Sequence, residues 1–579
     1  MSYSEIRTFR FDKVGLEEVK RFPNGTDWPV VYLLTNSKAV YVGETSSAGT
    51  RMYQHLDNPE RRALQEIHIL FDEEFNKSAV LDIEQSLIQL VSADNKLELL
   101  NRNGGQSQKH NYFQREKYQA KIGLIWRELQ KMQIASRNYD DILNSDLFKF
   151  SPYNSLTEEQ SVACYSALDD AIDKMQAGIR SSFVLHGSAG TGKTVVLVNI
   201  INRLVNATAI EMDETDEEET LSPYLRIRRK IADYVKEHGP LKVALVMPMG
   251  SIRKTLKTVF RHTGHGLKAS MVIGPADVAE EEYDILLVDE AHRLPQYKNI
   301  SWMGSYNKTT KAIFGENADP RDYTSLDWLL KKSKYTILVY DAAQTVKASD
   351  ITADQFIRAF DRAQISSSNH WLVSQMRCKG GQEYIDYLSS IFNCKDGLAR
   401  TEIENYDFRL FDHIEDMVQA IKLKEKEMGL CRTVAGYAWE WISKECRSLE
   451  EVRRRHLEDI TIEGHKYIWN MSNTEWILRP TAIDEIGCIH TTQGYDLNYV
   501  GVILGREIDY DPGTNRIIID STKHFDANVQ HGTTPDELKR YLINSYKVMM
   551  SRGIKGCYVY ACNPALKEYL SRFIPQLRP

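Results

Sequence analysis

The chain has 579 residues, of which 42% are hydrophobic and 26% charged, a composition typical of a globular protein with several domains. No run of about 18 apolar residues occurs, so the sequence predicts no membrane span. The net charge of −7 neither favours nor excludes a nucleic-acid partner, because a basic patch can be local. The eight cysteines form no CxxC pair, which predicts reduced thiols, no structural zinc site and a cytoplasmic location.

The first predicted domain spans residues 1–115 and contains polar side chains in a distinctive order. Two tyrosines lie on the strands of a predicted hairpin. An arginine and a histidine then share one helical face, and a glutamate and an asparagine follow. Each residue alone is more often structural, whereas the ordered set favours a catalytic site. The candidates are Tyr32, Tyr41, Arg51, His55, Glu84 and Asn101, with Asn103 as the alternative asparagine.

This order resembles the GIY-YIG endonuclease family over residues 28–105, although the first strand begins Val30-Val31 where the family has Gly-Ile. The resemblance implies a small α+β nuclease domain that cleaves phosphodiester bonds in DNA. It also implies that Glu84 binds one divalent metal ion, Mg²⁺ or alternatively Mn²⁺. The alternative is a domain that binds nucleic acid without catalysis.

The resemblance further implies a role for each of the other side chains. Tyr41, or Tyr32 and Tyr41 together, would help to activate the attacking water. Arg51 would stabilise the pentacovalent phosphate, and His55 would assist proton transfer. These roles suit phosphodiester cleavage, which needs a Lewis acid, a deprotonated water and a cation near the developing charge.

Residues 116–150 are predicted as a helical connector, and two larger domains follow it. In residues 151–350, apolar strand runs alternate with helices, which predicts a parallel sheet with crossover helices. Residues 351–579 repeat the alternation more weakly, with an insertion predicted around 401–485. The clearest strands are Phe183–His186, Val243–Met247, Ile285–Val288, Ile337–Tyr340, Tyr499–Leu504 and Cys557–Ala561.

The segment Gly187-Ser-Ala-Gly-Thr-Gly-Lys193-Thr194 fits the pattern GxxxxGK[ST] between an apolar strand and an apolar helix. Its glycines let backbone N–H groups point at phosphate oxygens, and the helix N-terminus adds partial positive charge. We expect Lys193 to neutralise the β- and γ-phosphates of ATP and the Thr194 hydroxyl to ligate Mg²⁺. The predicted phosphate-binding residues are Gly187, Gly190, Thr191, Gly192, Lys193 and Thr194.

A second pattern, Asp284-Ile-Leu-Leu-Val-Asp289-Glu290, places two carboxylates directly after an apolar strand. Such a pair is often only a solvated strand end. Downstream of a P-loop it predicts ATP hydrolysis, with Asp289 in the coordination shell of the metal and Glu290 polarising the attacking water.

Five further motifs occur in order: Leu156-Thr-Glu-Glu-Gln160, Tyr340-Asp-Ala-Ala-Gln344, Ser374-Gln-Met-Arg377, Ile489-His-Thr-Thr-Gln493-Gly494 and Ser545-Tyr-Lys-Val-Met-Met-Ser-Arg552. With the P-loop they resemble a superfamily 1 helicase core over residues 151–579, and most closely the Schlafen-type helicase-like ATPases of bacteria. The resemblance implies two RecA-like parallel-sheet lobes.

The helicase resemblance also implies roles for single residues. Gln160 would contact the adenine edge, and Gln344 would sense the γ-phosphate. Arg377 would face the phosphates, and Arg552 would act as an arginine finger. Gln493 and Gly494, in the motif Ile489–Gly494, would complete the nucleotide site.

The combined hypothesis is an ATP-dependent nucleic-acid motor fused to a metal-dependent endonuclease, acting in bacterial genome defence or repair. DNA is favoured over RNA as the substrate, and basic residues on one predicted helix could contact its backbone. These residues are Arg253, Lys254 and Lys257. The alternative function is an ATP-driven regulatory switch that never translocates. The sequence leaves the oligomeric state open.

Overall fold

The structure is a computed structural model that describes residues 5–22, 25–101, 112–188, 190–208, 223–300, 302–341, 344–373, 378–472, 476–492, 495–530 and 533–576. The described residues form two compact units. The first is built from residues within 1–176, 194–245 and 254–272. The second is built from residues within 177–193, 246–253 and 273–579.

The N-terminal domain is a five-stranded sheet with helices on both faces. The strands are β1 (Glu5–Arg10), β2 (Val30–Thr35), β3 (Ala39–Thr45), β4 (Glu66–Phe71) and β5 (Glu98–Leu99), in the order β1-β4-β2-β3-β5. All neighbouring pairs are antiparallel except β3 with β5. The first three helices of the domain are α1 (Lys13–Arg21), α2 (Ala48–Asp57) and α3 (Lys77–Asp94).

Strand β2 is buried along its whole length because both of its faces are covered. Successive side chains of a strand point to opposite faces. Val30, Tyr32 and Leu34 accordingly pack in a core that includes residues of α1 and α2. Val31 and Leu33 pack in a second core with residues of α3. The hairpin that carries both candidate tyrosines is therefore held from two sides.

The segment predicted as a connector packs into the N-terminal domain. Its helices are α4 (Arg115–Lys131), α5 (Tyr139–Leu143) and α6 (Asp146–Lys149), followed by α7 (Glu158–Gln176). Ile122, Ile125, Trp126 and Leu129 of α4 join the core that lies against α3. Burial of this apolar face explains why α4 is ordered as part of the domain.

A six-stranded sheet carries the nucleotide-binding motifs, in the order β11-β6-β10-β9-β7-β8. Pairing is parallel between β6 and β10, β9 and β10, and β6 and β11. The strands are β6 (Ser181–Gly187), β7 (Val243–Val246), β8 (Val272–Ile273), β9 (Tyr283–Val288), β10 (Ser333–Tyr340) and β11 (Ser366–Leu372). The helices between them are α8 (Lys193–Asn206), α9 (Pro223–His238), α10 (Gly250–Thr263), α11 (Met303–Phe314), α12 (Ser325–Lys332) and α13 (Ala353–Ala363).

The second lobe is built on a seven-stranded sheet, in the order β12-β20-β17-β13-β16-β15-β14. Its pairs are parallel apart from the hairpin of β14 and β15, and β18 and β19 form a separate hairpin. The strands are β12 (Asp407–Leu410), β13 (Cys431–Ala435), β14 (Ile460–Ile462), β15 (His465–Trp469), β16 (Glu485–Gly487), β17 (Leu497–Leu504), β18 (Ile508–Asp511), β19 (Arg516–Ile519) and β20 (Gly553–Ala561). The helices are α14 (Gly381–Phe392), α15 (Ile414–Met428), α16 (Leu449–Arg455), α17 (Ile489–Thr492), α18 (Ala527–Gln530), α19 (Pro535–Met550) and α20 (Pro564–Ser571).

The predicted α/β class is confirmed by these parallel ladders. The region 401–485, predicted as an insertion, contributes β12 and β13 to the parallel sheet itself. Strands of four and five residues are too short to show a clear period in a charged region, which is why the sequence did not reveal them. Among the described residues, no helix has the length and apolarity needed to cross a membrane.

Candidate functional site

The phosphate-binding loop joins β6 to α8. Gly190 and Gly192 have φ values of +91° and +80°, a left-handed conformation that glycine adopts without steric cost. Gly187 is constrained by space, because a Cβ atom there would lie 2.7 Å from the Oγ1 atom of Thr191. The glycines of the motif are therefore required by the path of the backbone, and Thr191 fills the inside of the turn.

Lys193 is folded back onto its own loop and is only 6% exposed. Its Nζ atom donates to the carbonyl oxygens of Gly187 and Ser188, each at 2.7 Å. The Nζ atom also lies 3.8 Å from Oδ2 of Asp341, at the end of β10. The ammonium group is thus held at the carboxyl edge of the sheet, where open α/β folds bind ligands. Thr194 follows as the second, half-buried residue of α8.

The two predicted acidic residues follow β9 at the same edge. Asp289 is buried, and its Oδ1 accepts the backbone N–H of Glu290 at 2.9 Å. Glu290 has a left-handed backbone with φ of +50°, an uncommon conformation for a residue with a side chain. Such strain is typical of functional positions.

Glu290 is ionised in this environment. Burial opposes its charge, but His292, Lys193 and Arg293 together hold its pKa well below the usual range. The Nε2 atom of His292 lies 2.9 Å from Oε2 of the carboxylate. An ionised carboxylate can accept a hydrogen bond from water, which suits the predicted role of Glu290.

The motif Tyr340–Gln344 contributes Asp341, which lies beside the P-loop lysine, and Gln344. Gln344 is buried, and its Nε2 donates to Oδ2 of Asp341 at 2.7 Å. Lys547, on α19 of the second lobe, has its pKa lowered by burial, and the charge of Asp341 opposes that effect. Asp341 is therefore the common partner of groups from both lobes.

Arg552 follows α19 directly and is 2% exposed, and its carbonyl oxygen accepts the N–H of Leu497. Three predicted residues, Arg377, Gln493 and Gly494, lie outside the described part of the chain.

Gln160 forms a capping box at the start of α7: its side-chain oxygen accepts from Thr157 N at 3.0 Å, and its own N–H donates to the Thr157 hydroxyl at 3.2 Å. Gln160 thus has a local structural role whatever else it binds.

The N-terminal domain brings together two tyrosines and a histidine. The Oη atom of Tyr32 on β2 lies 2.5 Å from Nε2 of His55 on α2. The His55 ring is 5.4 Å from the Tyr32 ring and 5.1 Å from the Tyr41 ring, measured between centroids. Burial raises the pKa of Tyr32 well above its ordinary value, and burial with the charges of Arg61 and Arg51 lowers the pKa of His55 to about 2. Both groups are therefore neutral at physiological pH.

Glu84 lies on α3 and is almost fully buried. Burial, followed by the negative charge of Glu44, raises its pKa to about 8, while Lys77 and Arg51 act in the opposite direction. Glu44 itself forms an ion pair with Lys77, with Nζ and Oε1 2.7 Å apart. Two carboxylates that repel each other form an environment that a cation would stabilise.

Arg51 is the electrostatic neighbour shared by the whole N-terminal cluster. Its charge lowers the pKa of Tyr32, His55 and Glu84 alike. Its Nη1 also donates to Oε1 of Gln54 at 3.0 Å. Tyr32, His55 and Glu84 thus share one positively charged neighbour, although only His55 is near Arg51 in sequence.

Asn101 has a structural role that the sequence did not reveal. Its Oδ1 accepts the N–H of Val42 at 3.0 Å, and its Nδ2 donates to the carbonyl of Val42 at 2.8 Å. The side chain thereby fixes β3 immediately after Tyr41. The alternative residue Asn103 lies outside the described residues.

Sequence reasoning missed several residues of these clusters. Arg61 and Glu44 contact the N-terminal cluster, and neither stands at a position of the quoted family pattern. Asp341 lies within the motif Tyr340–Gln344, and His292 follows Glu290 by two residues. This closeness in sequence to Gln344 and Glu290 was a signal that could have found them. Within the described ranges, no group of three or more His, Cys, Asp or Glu side chains is arranged to hold a metal ion.

Residues 180–563 match the model of the family described as Schlafen group 3, DNA/RNA helicase domain. The chain belongs to this Schlafen group 3 family. The matched region contains the P-loop, the acidic pair and the second-lobe motifs, so the predicted Schlafen-type helicase-like domain is confirmed there. The N-terminal cluster and Gln160 lie outside the matched region.

Similar proteins are known beyond the Schlafen group 3 match. An uncharacterized protein of Saccharomyces cerevisiae is 26% identical over 426 residues, which cover 67% of this chain and 84% of that protein. The Pif1 helicase of Candida albicans aligns over 72% of this chain and 99% of its own, at 11% identity and a TM-score of 0.25. The DEAD-box helicase Mss116, bound to ssRNA and UDP-BeF, aligns over 73% and 75%, at 14% identity and a TM-score of 0.29.

Proposed function

We propose that this chain is an ATP-hydrolysing, helicase-like motor that acts on nucleic acid. The proposal rests chiefly on the environment of Glu290, whose pKa is lowered in part by Lys193 of the P-loop. A phosphate-binding cation and an ionised carboxylate therefore share one site. This is the pairing that phosphoanhydride hydrolysis requires, because one group holds the phosphates and the other orients the water.

The proposed cofactors are ATP and Mg²⁺. The Thr194 hydroxyl and the Asp289 carboxylate are the oxygen ligands that Mg²⁺ prefers, and they follow β6 and β9 as the motifs require. The ion, when bound, would neutralise charge on the phosphates. Lys193 would shift from its loop carbonyls to the phosphates, and Arg552 would stabilise the transition-state charge.

ATP turnover tests the motor proposal. We expect Glu290→Gln to bind ATP but hydrolyse it at least about a hundredfold more slowly, and Lys193→Ala to lose ATP binding. The exposed Glu440→Gln is the matched control. Turnover that single-stranded DNA or RNA accelerates supports a motor, whereas turnover that neither accelerates supports a regulatory switch. Unchanged turnover in Glu290→Gln would contradict the role of this carboxylate.

We propose DNA rather than RNA as the preferred nucleic acid. The proposal rests on the resemblance of the N-terminal domain to DNA endonucleases. Competition between labelled single-stranded DNA and RNA of the same sequence, measured in the presence of ATP, decides it. Tighter binding of the RNA would contradict the preference.

We also propose that the N-terminal domain is a metal-dependent GIY-YIG endonuclease. The convergence of Tyr32, His55 and Glu84 on Arg51 supports it. Arg51 would stabilise the phosphate, while Glu84 and the divalent ion, when bound, would supply Lewis-acid chemistry. Because Glu84 has a raised pKa, we expect metal binding to release a proton.

Cleavage of plasmid DNA in the presence of Mg²⁺ or Mn²⁺ tests the nuclease. Glu84→Gln and Arg51→Ala should each lower the cleavage rate at least about a hundredfold. Two exposed neighbours, Glu73→Gln and Arg62→Ala, are the matched controls. If all variants cut as the parent does, the site is assigned wrongly. If the parent binds DNA but does not cut it, the domain is a binding module.

A role in genome defence or repair follows only from the resemblance to bacterial proteins of this kind. Expression of the parent chain in a bacterium challenged with phage tests it. Protection should be lost in Lys193→Ala and in Glu84→Gln. Equal protection by these variants and the parent would contradict a role that uses either active site.

A further inference from the structure

Arg61, in the turn after α2, contacts two members of the N-terminal cluster. Its Nη1 makes a short hydrogen bond with Nδ1 of His55. Its guanidinium carbon lies 4.0 Å from the centroid of the Tyr41 ring, a cation–π contact. The Arg61 guanidinium group therefore contacts two side chains, His55 and Tyr41, for which roles in the nuclease are proposed.

The protonation of the His55 imidazole follows from the chemistry of this neighbour. A guanidinium carries only N–H donors, so Nδ1 of His55 has to be the accepting nitrogen. A neutral imidazole holds a single proton, which must then be on Nε2. The Nε2 atom is 2.5 Å from the Tyr32 oxygen, so its N–H donates to that oxygen.

The positive charge of Arg51 also acts on Tyr32 and lowers its pKa, against the larger effect of burial. A hydroxyl oxygen has two lone pairs that accept and one O–H group that donates. Because His55 donates to the Tyr32 oxygen, Tyr32 keeps its O–H group as a donor for another acceptor. Burial supports this arrangement, because it raises the pKa of Tyr32 and keeps the phenol protonated.

We propose that Arg61 is a positioning residue that locks His55 as the Nε2–H tautomer and thereby fixes the buried Tyr32 hydroxyl as a hydrogen-bond donor within the proposed nuclease site. The functional role of this lock rests on the proposed nuclease function, but the tautomer of His55 can be measured without a cleavage assay. Neither Tyr32 nor His55 then accepts the proton of the attacking water. Of the two tyrosines, Tyr41 is left for that step.

The tautomer is tested by ¹⁵N NMR of the full chain labelled at histidine, at neutral pH, with His55→Gln used to assign the signal. A protonated ring nitrogen and a bare one have well-separated ¹⁵N shifts. In the parent, Nε2 should carry the proton and Nδ1 should be bare. Arg61→Met should give averaged shifts from two interconverting tautomers, and Arg61→Lys, which keeps a donor, should restore the single tautomer.

Arg62→Met is the matched control. Arg62 is the next residue, and its guanidinium donates to the carbonyl oxygens of Leu56 and Asp57. This variant should keep the parent tautomer. ATP turnover should be the same in all these variants, since the proposed ATP site uses none of the substituted residues, and this shows that the chain remains folded.

A cleavage assay completes the experiment. Arg61→Met should lower the rate at saturating DNA at least about tenfold with little change in KM, because the donor is misdirected while DNA binding is kept. A proton on Nδ1 in the parent, or an unchanged tautomer in Arg61→Met, would overturn the lock. A parent chain that shows the Nε2–H tautomer but cuts no nucleic acid would overturn the nuclease and leave the lock standing.

Discussion

Glu507, which follows β17, shows how strongly burial can act on one carboxyl group. The side chain is fully buried, and burial raises its pKa to about 7 although Tyr546 donates a short hydrogen bond to Oε1. The other oxygen, Oε2, has no hydrogen-bond partner among the described residues. A buried carboxylate with one unsatisfied oxygen is costly when charged.

Stability should therefore fall as Glu507 ionises. Its folded-state pKa is above the unfolded one, so the folded chain binds the proton more tightly, and stability decreases as the pH rises towards 7. At about 1.4 kcal/mol per pH unit, ionisation costs roughly 3 kcal/mol at pH 8. Glu507→Gln cannot ionise and should lose this pH dependence.

Urea unfolding of the parent and Glu507→Gln at pH 5 and pH 8 measures the effect. The difference in unfolding free energy should move in favour of the variant by roughly 3 kcal/mol between the two pH values. The exposed Glu440→Gln should show no such change. A difference that is the same at both pH values would contradict the raised pKa.

For single residues, matching a motif did not reveal the hydrogen bonds that the side chain makes within the protein. The glutamine of the first helicase motif caps its own helix, and Asn101 is bonded to both backbone groups of Val42. Local hydrogen bonds of this kind are common for amide side chains. A motif gives the residue type, but it does not show how the hydrogen bonds of the side chain are divided between structure and a ligand.

At the scale of elements, β2 and β3 depend on Gly43. A Cβ atom at this position would lie 2.3 Å from the Tyr32 hydroxyl oxygen. Tyr32 cannot move away without losing its hydrogen bond to His55. Only glycine therefore fits at position 43, because the Tyr32 side chain packs directly against the backbone there.

Gly43→Ala should lower the unfolding free energy by roughly 1–3 kcal/mol, the usual cost of overpacking, and should abolish DNA cleavage by displacing Tyr32. Urea unfolding and the plasmid assay measure the two effects. Gly123→Ala is the control, since its Cβ would meet Tyr139 at an ordinary 3.5 Å inside α4. Full activity in Gly43→Ala would show that the Tyr32 position is not required.

Helix α4 is joined to the N-terminal domain by a buried ion pair as well as by its apolar face. The Nζ atom of Lys121 lies 2.5 Å from Oδ2 of Asp72 and 2.8 Å from Oε2 of Glu74. The side chains of Lys121 and Asp72 are both only 2% exposed. Removing one partner of such a pair leaves an uncompensated charge in the core.

Lys121→Met should destabilise the N-terminal domain by roughly 3–5 kcal/mol, as measured by urea unfolding. Adding Asp72→Asn should recover part of this loss, because the uncompensated charge is then gone. Lys131→Met, on the same helix and 69% exposed, should have little effect. Equal stability of Lys121→Met and Lys131→Met would mean that the ion pair does not hold α4.

At the scale of the whole molecule, the proposed ATP site is assembled from distant parts of the sequence. Asp341 interacts with Lys193 of the first lobe and with Lys547 of the second. Tyr384 on α14 donates to the carbonyl of Met550 at 3.1 Å, which ties the start of the second lobe to the end of α19 beside Arg552. In the proposed ATP site, the guanidinium group of Arg552 would respond to whether the γ-phosphate of ATP is present.

Arg552→Ala should slow ATP hydrolysis by roughly 10³–10⁵-fold, the range for arginine fingers, while ATP binding is kept. Single-turnover hydrolysis and a fluorescent-nucleotide binding assay measure the two quantities. Arg540→Ala is the control, because Arg540 is exposed on α19, the helix that precedes Arg552. A loss of binding equal to the loss of turnover would make Arg552 a ground-state contact instead.

The sequence by itself determined the elements whose chemistry is local. The P-loop glycines, the acidic pair after β9 and the alternating pattern of parallel strands were all predictable, because backbone conformation and burial leave their mark within a few residues. The short strands β12 and β13 were not predictable, since four or five residues in a charged segment show no clear period.

Only the tertiary structure decided which side chains share an environment. The contact of Arg61 with His55, the position of Asp341 between two lysines and the full burial of Glu507 join residues that no local pattern relates. The pKa of a buried group depends on the solvent it loses and on the charges around it, and both are set by long-range packing. The candidate reacting groups could therefore be named from the sequence, whereas the fold determines their protonation.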